Sequence, residues 1–229
     1  MNIFLDTVYW GILISIISYF IGDKLQKRTK IIFFNPLLFA VFVTVIFLII
    51  SGMDYDVYYE KSNYLHYLLT PTTVCFAIPL YKQVKLLKSN VLAIICGVLS
   101  GVISSLTSIL IFSAIFHFSH EMYITILPKS ITAAMGMGVS EELGGIPSLT
   151  VPITIMTGIT GNIIAEKICK LFNITEPIAK GIAIGTSSHA MGTAKAMEMG
   201  DVEGAMSSLS IAISGTFTVM LASIFCKFY

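Results

Sequence analysis

The residues best suited to chemistry cluster in two stretches, TILPKSITAAMGMGVSEELGGIPSLT over 125–150 and IGTSSHAMGTAKAME over 184–198. In the first, Pro128 suits the opening turn of a helix, where its missing N–H is no loss. Lys129, Ser130 and Thr132 then crowd that helix's N-terminus, where free N–H groups and the helix dipole attract an anion. Gly136, Gly138, Gly144 and Gly145 let the backbone bend and pack closely. The plainer alternative for Lys129 is an interfacial anchor that snorkels to water. In the second stretch, His189 follows Thr186, Ser187 and Ser188 in an otherwise uncharged run. An imidazole there donates to a carboxylate or carries a proton, or it makes an ordinary interhelical hydrogen bond. Lys195 and Glu198 stand three apart on one helical face and pair at the membrane edge.

Other residues extend the set. Glu141 and Glu142 relay protons in one reading and sit at a wet helix end in the other. Thr72 and Thr73, beside Pro71, complete the anion site from a separate segment. Asn162 is either interhelical glue or a ligand of the site, and Asn35-Pro36 shapes the start of the second span. His117, His120 and Glu121 form at most a weak metal signal. Four cysteines (Cys75, Cys96, Cys169, Cys226) stand far apart with no CxxC, so neither a disulfide framework nor zinc is expected. The chain carries no GxSxG, HExxH or Walker loop. The expectation is a protein that is not an enzyme and uses no cofactor or metal.

What must position these residues is a set of membrane helices. The 229 residues are 55% hydrophobic and 12% charged, with a mean hydropathy of +0.86. A soluble chain of this size cannot bury so much apolar surface and keep a charged exterior. The formal net charge of +1 gives no electrostatic footprint for nucleic acid. A crossing helix needs about 20 apolar residues, and 7–22, 31–51, 91–116 and 205–226 qualify. Residues 149–165 are shorter and contain Pro152, Gly158 and Gly161; 64–81 and 178–197 are apolar but interrupted, and 125–140 is shorter still. The first run reads as a span and not a cleavable leader, because Asp6 and no Lys or Arg precedes it.

Lysine and arginine mark the cytoplasmic side. Lys24, Lys27, Arg28 and Lys30, then Lys82, Lys85 and Lys88, then Lys167, Lys170 and Lys227 all face it if 125–140 dips in and returns on the outer side. The loop 52–62 then lies outside. The expected fold is an all-α polytopic membrane protein forming one domain over 1–229, with about seven crossings plus a re-entrant segment. Its N-terminus is outside and its C-terminus inside. An internal echo adds a possible inverted repeat: Leu69-Thr70-Pro71-Thr72-Thr73 leads toward Ser100-Gly101 as Ile184-Gly185-Thr186-Ser187-Ser188 leads toward Ser214-Gly215. Inverted-repeat transporters place their site where broken helices meet.

The segments together resemble the LrgB/CidB family of bacterial membrane proteins over nearly the whole chain. The likeness rests on NPLL at 35–38, LTPTTVCFAIPLYKQ at 69–83, LPKSIT at 127–132, SEELGGIPSLT at 140–150 and IGTSSHAMGTAKAME at 184–198. Ala134 and Gly138 stand where members often carry Pro and Glu. The resemblance implies a bacterial cytoplasmic membrane and a small LrgA/CidA-like membrane partner. It also implies one of two activities. One is antiholin-like control of murein hydrolases and programmed cell death through a pore or regulator. The other is transport of small carboxylates of the pyruvate, lactate or glycolate class, as in the related plant plastidic glycolate/glycerate translocator. Broken polar segments suit a carrier better than a simple lesion. The carboxylate is accordingly expected against Thr72, Thr73, Lys129, Ser130, Thr132, Ser187, Ser188 and His189, with Glu141 or His189 carrying a coupled proton. Small-residue faces also permit a homodimer.

Overall fold

The computed structural model describes residues 9–29, 36–67, 71, 75 and 77–229, and nearly all of them are helical. Three helices among these are long and apolar enough to cross a membrane, Val91–Phe116, Pro147–Leu171 and Asp201–Phe228. The chain divides into two compact units, Met1–Cys75 and Phe76–Tyr229. It is a multi-pass helical membrane protein.

In the first unit, α1 (Tyr9–Thr29), α2 (Pro36–Ser51) and α3 (Tyr55–Tyr67) pack together. In lipid there is no hydrophobic force between helices, so small residues that allow close approach carry the contact. A Cβ on Gly22 of α1 would stand 3.0 Å from both the Cα of Pro36 and the Cβ of Phe39 in α2. Ser15 donates to the carbonyl of Gly11 at 2.8 Å and shares a hydrogen bond with Tyr58 of α3 at 3.1 Å. The stretch 52–62, expected as an outer loop, is therefore mostly helix: Asp54 accepts from the N–H of Asp56 at 2.9 Å and starts α3.

The second unit holds the polar segments. Short helices α4 (Ala77–Lys82) and α5 (Val84–Ser89) precede the long α6 (Val91–Phe116). One face of α6 is apolar and buried, through Ile94, Val98, Val102, Leu106 and Ile109. It packs in one core with Tyr123, Leu127, Ile131 and Met206. Next come α7 (His120–Ile126) and α8 (Ala133–Leu143), then α9 (Pro147–Leu171), α10 (Pro177–Met199) and α11 (Asp201–Phe225). Gly144, at φ 89°, closes α8 in the left-handed conformation, with the N–H of Gly145 on the carbonyl of Ser140 at 2.7 Å. Pro147 opens α9 in the first-turn position that proline favours.

The 120–143 region does not run straight. Helices of 7 and 11 residues span roughly 10 and 16 Å, well short of the hydrocarbon core. The helix start also differs from the sequence expectation. Pro128, Lys129 and Ser130 do not begin a helix; they form the turn that ends α7, and α8 begins only after Thr132. Pro128 has no N–H for the carbonyl four residues back, so the α-ladder stops there. The N–H of Lys129 reaches the carbonyl of Ile126 at 3.0 Å instead.

The larger difference lies in α10, which was expected to cross. At His189 the backbone leaves the helix, with φ 42° and ψ −139°. In a straight helix residues 184 and 192 would stand about 12 Å apart. Here a Cβ on Gly192 would lie 2.9 Å from Ile184 Cγ2 and 3.1 Å from its carbonyl oxygen. Ser207 of α11 touches both arms: its Cα is 2.8 Å from a Cβ placed on Gly185, and its hydroxyl is 2.7 Å from that of Thr193. Lys180, near one end of α10, and Lys195, near the other, line one 530 Å³ pocket with Glu166, Asn173 and Glu203. The segment is a helical hairpin whose arms, 177–188 and 190–199, start and finish at the same end of the unit.

This fold-back separates charges that were expected on one side. Lys167, Lys170, Lys180 and Lys195 flank the hairpin's open end. Lys227 lies beyond the 25 residues of α11, at the opposite end. There Tyr229 donates to the carbonyls of Ser113 and Phe118 at 2.9 and 2.7 Å, and Tyr123 donates to Phe225 at 2.9 Å. The first hairpin, α7–turn–α8, enters from this opposite end.

Sidedness tests the geometry. Single cysteines replacing Asn173 and Glu198 in a cysteine-free background should react with an impermeant maleimide from the same face of the membrane, and one replacing Ser119 from the other. A helix 177–199 that crossed would place positions 173 and 198 on opposite faces.

Candidate anion site between two helical hairpins

The two hairpin tips meet on the middle of α9. The N-terminal turn of α8 packs there through Gly136, where a Cβ would lie 3.4 Å from Thr150 Cγ2 and 3.6 Å from Thr154 Oγ1. The other tip packs there through His189, whose Nε2 lies 3.0 Å from the carbonyl oxygen of Thr154. A carbonyl only accepts, so Nε2 carries the hydrogen. The ring occupies the space left by Gly158, where a Cβ would come within 2.6 Å of Cε1. Gly161, one turn on, makes the same allowance for Ser188, whose side chain would collide with any Cβ there.

A non-glycine residue at φ 42° stores strain of about 1–3 kcal/mol. Polar groups around the break hold it in place. Asn162 Nδ2 donates to the carbonyl of Met191 at 2.9 Å, and Thr193 donates to the carbonyl of His189 at 2.9 Å. Asn162 is therefore the fastener of the second hairpin, which matches the interhelical reading of this residue. His189, 5% exposed and committed to Thr154, likewise serves as a pin.

Lys129 sits differently. Its ammonium donates to Ser130 Oγ at 3.1 Å and to Ser105 Oγ at 3.4 Å, and the two hydroxyls are 2.9 Å apart. Among the described residues no ion pair involves Lys129. It lines two clefts that flank the first arm of α10. One, of 780 Å³, lies against α6 and is walled by Ser100, Ser104, Ser105, Ser108, Thr186 and Ser187. The other, of 660 Å³, lies against α9 and includes Thr157, Thr160, Gly161, Ser187 and Ser188. Lys129 and Ser187 belong to both. Thr186, 4% exposed, has no hydrogen-bond partner for its hydroxyl among the described residues.

The structure thus brings together Lys129, Ser130, Ser187 and Ser188, four of the residues singled out by sequence. Thr132 takes the N-cap position of α8, with no side-chain capping bond. Thr72 and Thr73 lie outside the described residues, as does Asn35. Glu141 and Glu142 sit exposed at the far end of α8, away from both clefts. His117, at φ 52°, ends α6, and no group of three metal-binding side chains exists among the described residues.

The hydroxyl face of α6 was missed. Ser100, Ser104 and Ser108 stand at four-residue spacing, with Gly97, Gly101 and Ser105 alongside, on a face next to the apolar stripe. That period was legible in the longest apolar span, where only Ser100-Gly101 was singled out, as part of the internal echo. They are also packing: a Cβ on Gly101 would lie 2.7 Å from Thr186 Cγ2.

The tip packing has a direct stability test. Gly161→Ala should lower the melting temperature in detergent, since its methyl group meets Ser188 and overpacking costs about 1–3 kcal/mol. Gly138→Ala, on a position with open space around it, should be neutral or gain roughly 0.5–1 kcal/mol from lost backbone freedom. Equal shifts in the two variants would remove the close contact of tip and α9.

No solved structure matches the chain. A family model does, over residues 15–228, so the match takes in both hairpins and both clefts. Of the motifs that carried the resemblance, LPKSIT forms the first tip, IGTSSHAMGTAKAME holds the second, and SEELGGIPSLT runs from the end of α8 into the start of α9. The chain belongs to the LrgB-like family.

Proposed function

We propose that the protein is a carrier of small carboxylate anions of the pyruvate, lactate or glycolate class. The observation that carries the reading is Lys129: a cation at the junction of two clefts, held by neutral hydroxyls, with no carboxylate partner among the described residues. A lone charge at membrane depth costs several kcal/mol and marks a ligand path. The helices starting at the two tips, α8 and the second arm of α10, add N-terminal dipoles of the sign an anion needs. The hydroxyls of Ser105, Ser130, Ser187 and Ser188 supply directional donors. Two hairpins from opposite ends also provide parts that alternate access to one site. A holin-like pore has no use for this arrangement. Control of murein hydrolases and cell death then follows as a physiological output of altered carboxylate flux.

Charge sets the orientation. Lys85, Lys88, Lys167, Lys170, Lys180 and Lys195 gather at the open end of the second hairpin, or just before α6, against Lys227 at the other end. The positive-inside rule places that first end in the cytoplasm of a bacterial cell and the C-terminus outside, the reverse of the sequence expectation. Lys24, Lys27 and Arg28, closing α1, keep the N-terminus outside by the same rule. A small LrgA/CidA-like protein in the same membrane is the partner we assign.

The test is uptake of labelled pyruvate, lactate and glycolate into liposomes holding the purified protein and an entrapped dye, with the small partner added in a parallel set. Saturable uptake with the dye retained is expected, and Lys129→Met should reduce it at least tenfold while inserting normally. Dye loss without saturation would establish the pore. Full uptake by the Lys129→Met protein would remove the site.

A further inference from the structure

We infer that the cleft against α9 is an alkyl subsite, so that the carrier takes straight-chain 2-oxo acids well beyond pyruvate. The carboxylate sits on Lys129 and the hydrocarbon chain runs along α9. The inference rests on the carboxylate reading and adds the part of the substrate that the second cleft recognises.

The two clefts meet at Lys129 but offer different chemistry. An ammonium has three hydrogens to give. That of Lys129 donates to Ser130 and Ser105, and no third acceptor stands beside it among the described residues. One donor is left for a carboxylate. On the α6 side the surroundings are polar. Ser105 and Ser130 bond to each other and to the ammonium, and the buried hydroxyl of Thr186 has no partner among the described residues. On the α9 side the hydroxyls are spent. Thr157 donates to the carbonyl of Ile153 at 2.9 Å, and Thr160 to that of Met156 at 2.7 Å. A hydroxyl has one hydrogen, so neither has a donor left for an anion. Past these two the wall is hydrocarbon. Ala165 and Ile184 are buried as its floor, and Ile164 and Ile168, each 40% exposed, form its rim.

The second cleft is also longer than a three-carbon acid requires. The second hairpin's tip seats at Thr154 and Gly158, and the cleft continues along α9 to Cys169, roughly 16 Å of helix past Gly158. Its 660 Å³ lies in the range that encloses a drug-sized ligand, and pyruvate leaves most of it unfilled. Lys129 is the only charged residue lining it among the described residues. A single cation at one end of an apolar trough fits an amphiphile with one anionic head. It does not fit a dicarboxylate, whose second charge would lie unpaired against hydrocarbon. The 2-oxygen, beside the carboxylate, faces the hydroxyls on the α6 side.

The experiment is displacement of labelled pyruvate from the purified protein by 2-oxobutanoate, 2-oxopentanoate, 2-oxohexanoate and 2-oxooctanoate, with 2-oxoglutarate as the dicarboxylate. Affinity should rise about fourfold for each methylene taken from water into the cleft. The dicarboxylate should bind at least roughly tenfold more weakly than 2-oxopentanoate, which has the same carbon chain. Ile164→Trp and Ile168→Trp narrow the rim at successive turns. Measured against pyruvate within each variant, the gain should stop at a shorter chain in the first than in the second. In the wild type, a 2-oxooctanoate analogue with a terminal diazirine should label α9 between positions 161 and 169 on irradiation. A flat series with pyruvate still bound, the result if bilayer lipid holds the cleft, overturns the alkyl subsite and leaves the carrier reading standing. A rising series that both tryptophan variants leave unaltered does the same, as does labelling confined to α6. If a tryptophan variant does not fold, the labelled position decides. Failure of pyruvate and all the longer acids to bind overturns the carrier reading as well.

Discussion

A chain that reverses direction among apolar helices must find protein partners for the backbone groups it frees, because lipid offers none. The second unit contains two such reversals, at 127–132 and at His189, and much of its polar sequence answers to them. Thr125 receives the N–H of Ile146 at 2.9 Å and its carbonyl receives Thr150 at 3.0 Å, which ties the base of the first hairpin to the start of α9. Asn162, Thr193, Ser207 and the His189 ring perform the same task for the second. Without these bonds neither tip has a reason to stay at depth.

The same constraint explains the glycines. Backbones that approach closely need positions without side chains, and they occur where a tip or arm meets its neighbour. Gly181 and Gly185 receive α11, Gly158 and Gly161 receive the second tip, and Gly101 receives Thr186. The ion pairs described in the second unit sit at the open end of the second hairpin, among them Lys195 with Glu166 and Glu198 at 3.5 and 3.1 Å, and Lys180 with Glu203 at 3.9 Å. Lys129 alone combines depth, charge and a neutral ligand set, and this sets it apart from every other lysine described.

Legibility varied with the range of the determining contact. Pro128, Gly144-Gly145 and Pro147 act on their own backbone, so the ends of helices near 128, 144 and 147 could be read locally, although Pro128 ended a helix where it was expected to begin one. Thr186, Ser187 and Ser188 announced a polar interruption. Whether it was a kink in a crossing helix or a full reversal depended on Ser207, Glu203 and Asn162, distant in sequence. Periodicity is blind here, because both arms of the hairpin are apolar helices joined by a single non-helical residue.

The amino-acid sequence by itself determined that the chain lives in a membrane, that it is helical, which stretches are broken, that Lys129 and the serines around 187 are its polar candidates, and to which family it is related. Each of these follows from composition, span length or a contiguous motif. Only the tertiary structure decided that α10 folds back on itself, that Lys227 stands apart from the other lysines, that His189 and Asn162 are fasteners, and that the serine face of α6 joins Lys129. The reason is physical: a side chain's role is set by what its neighbours leave unsatisfied, and those neighbours come from other helices, from 14 residues away for Thr193 and Ser207 to 102 for Tyr123 and Phe225.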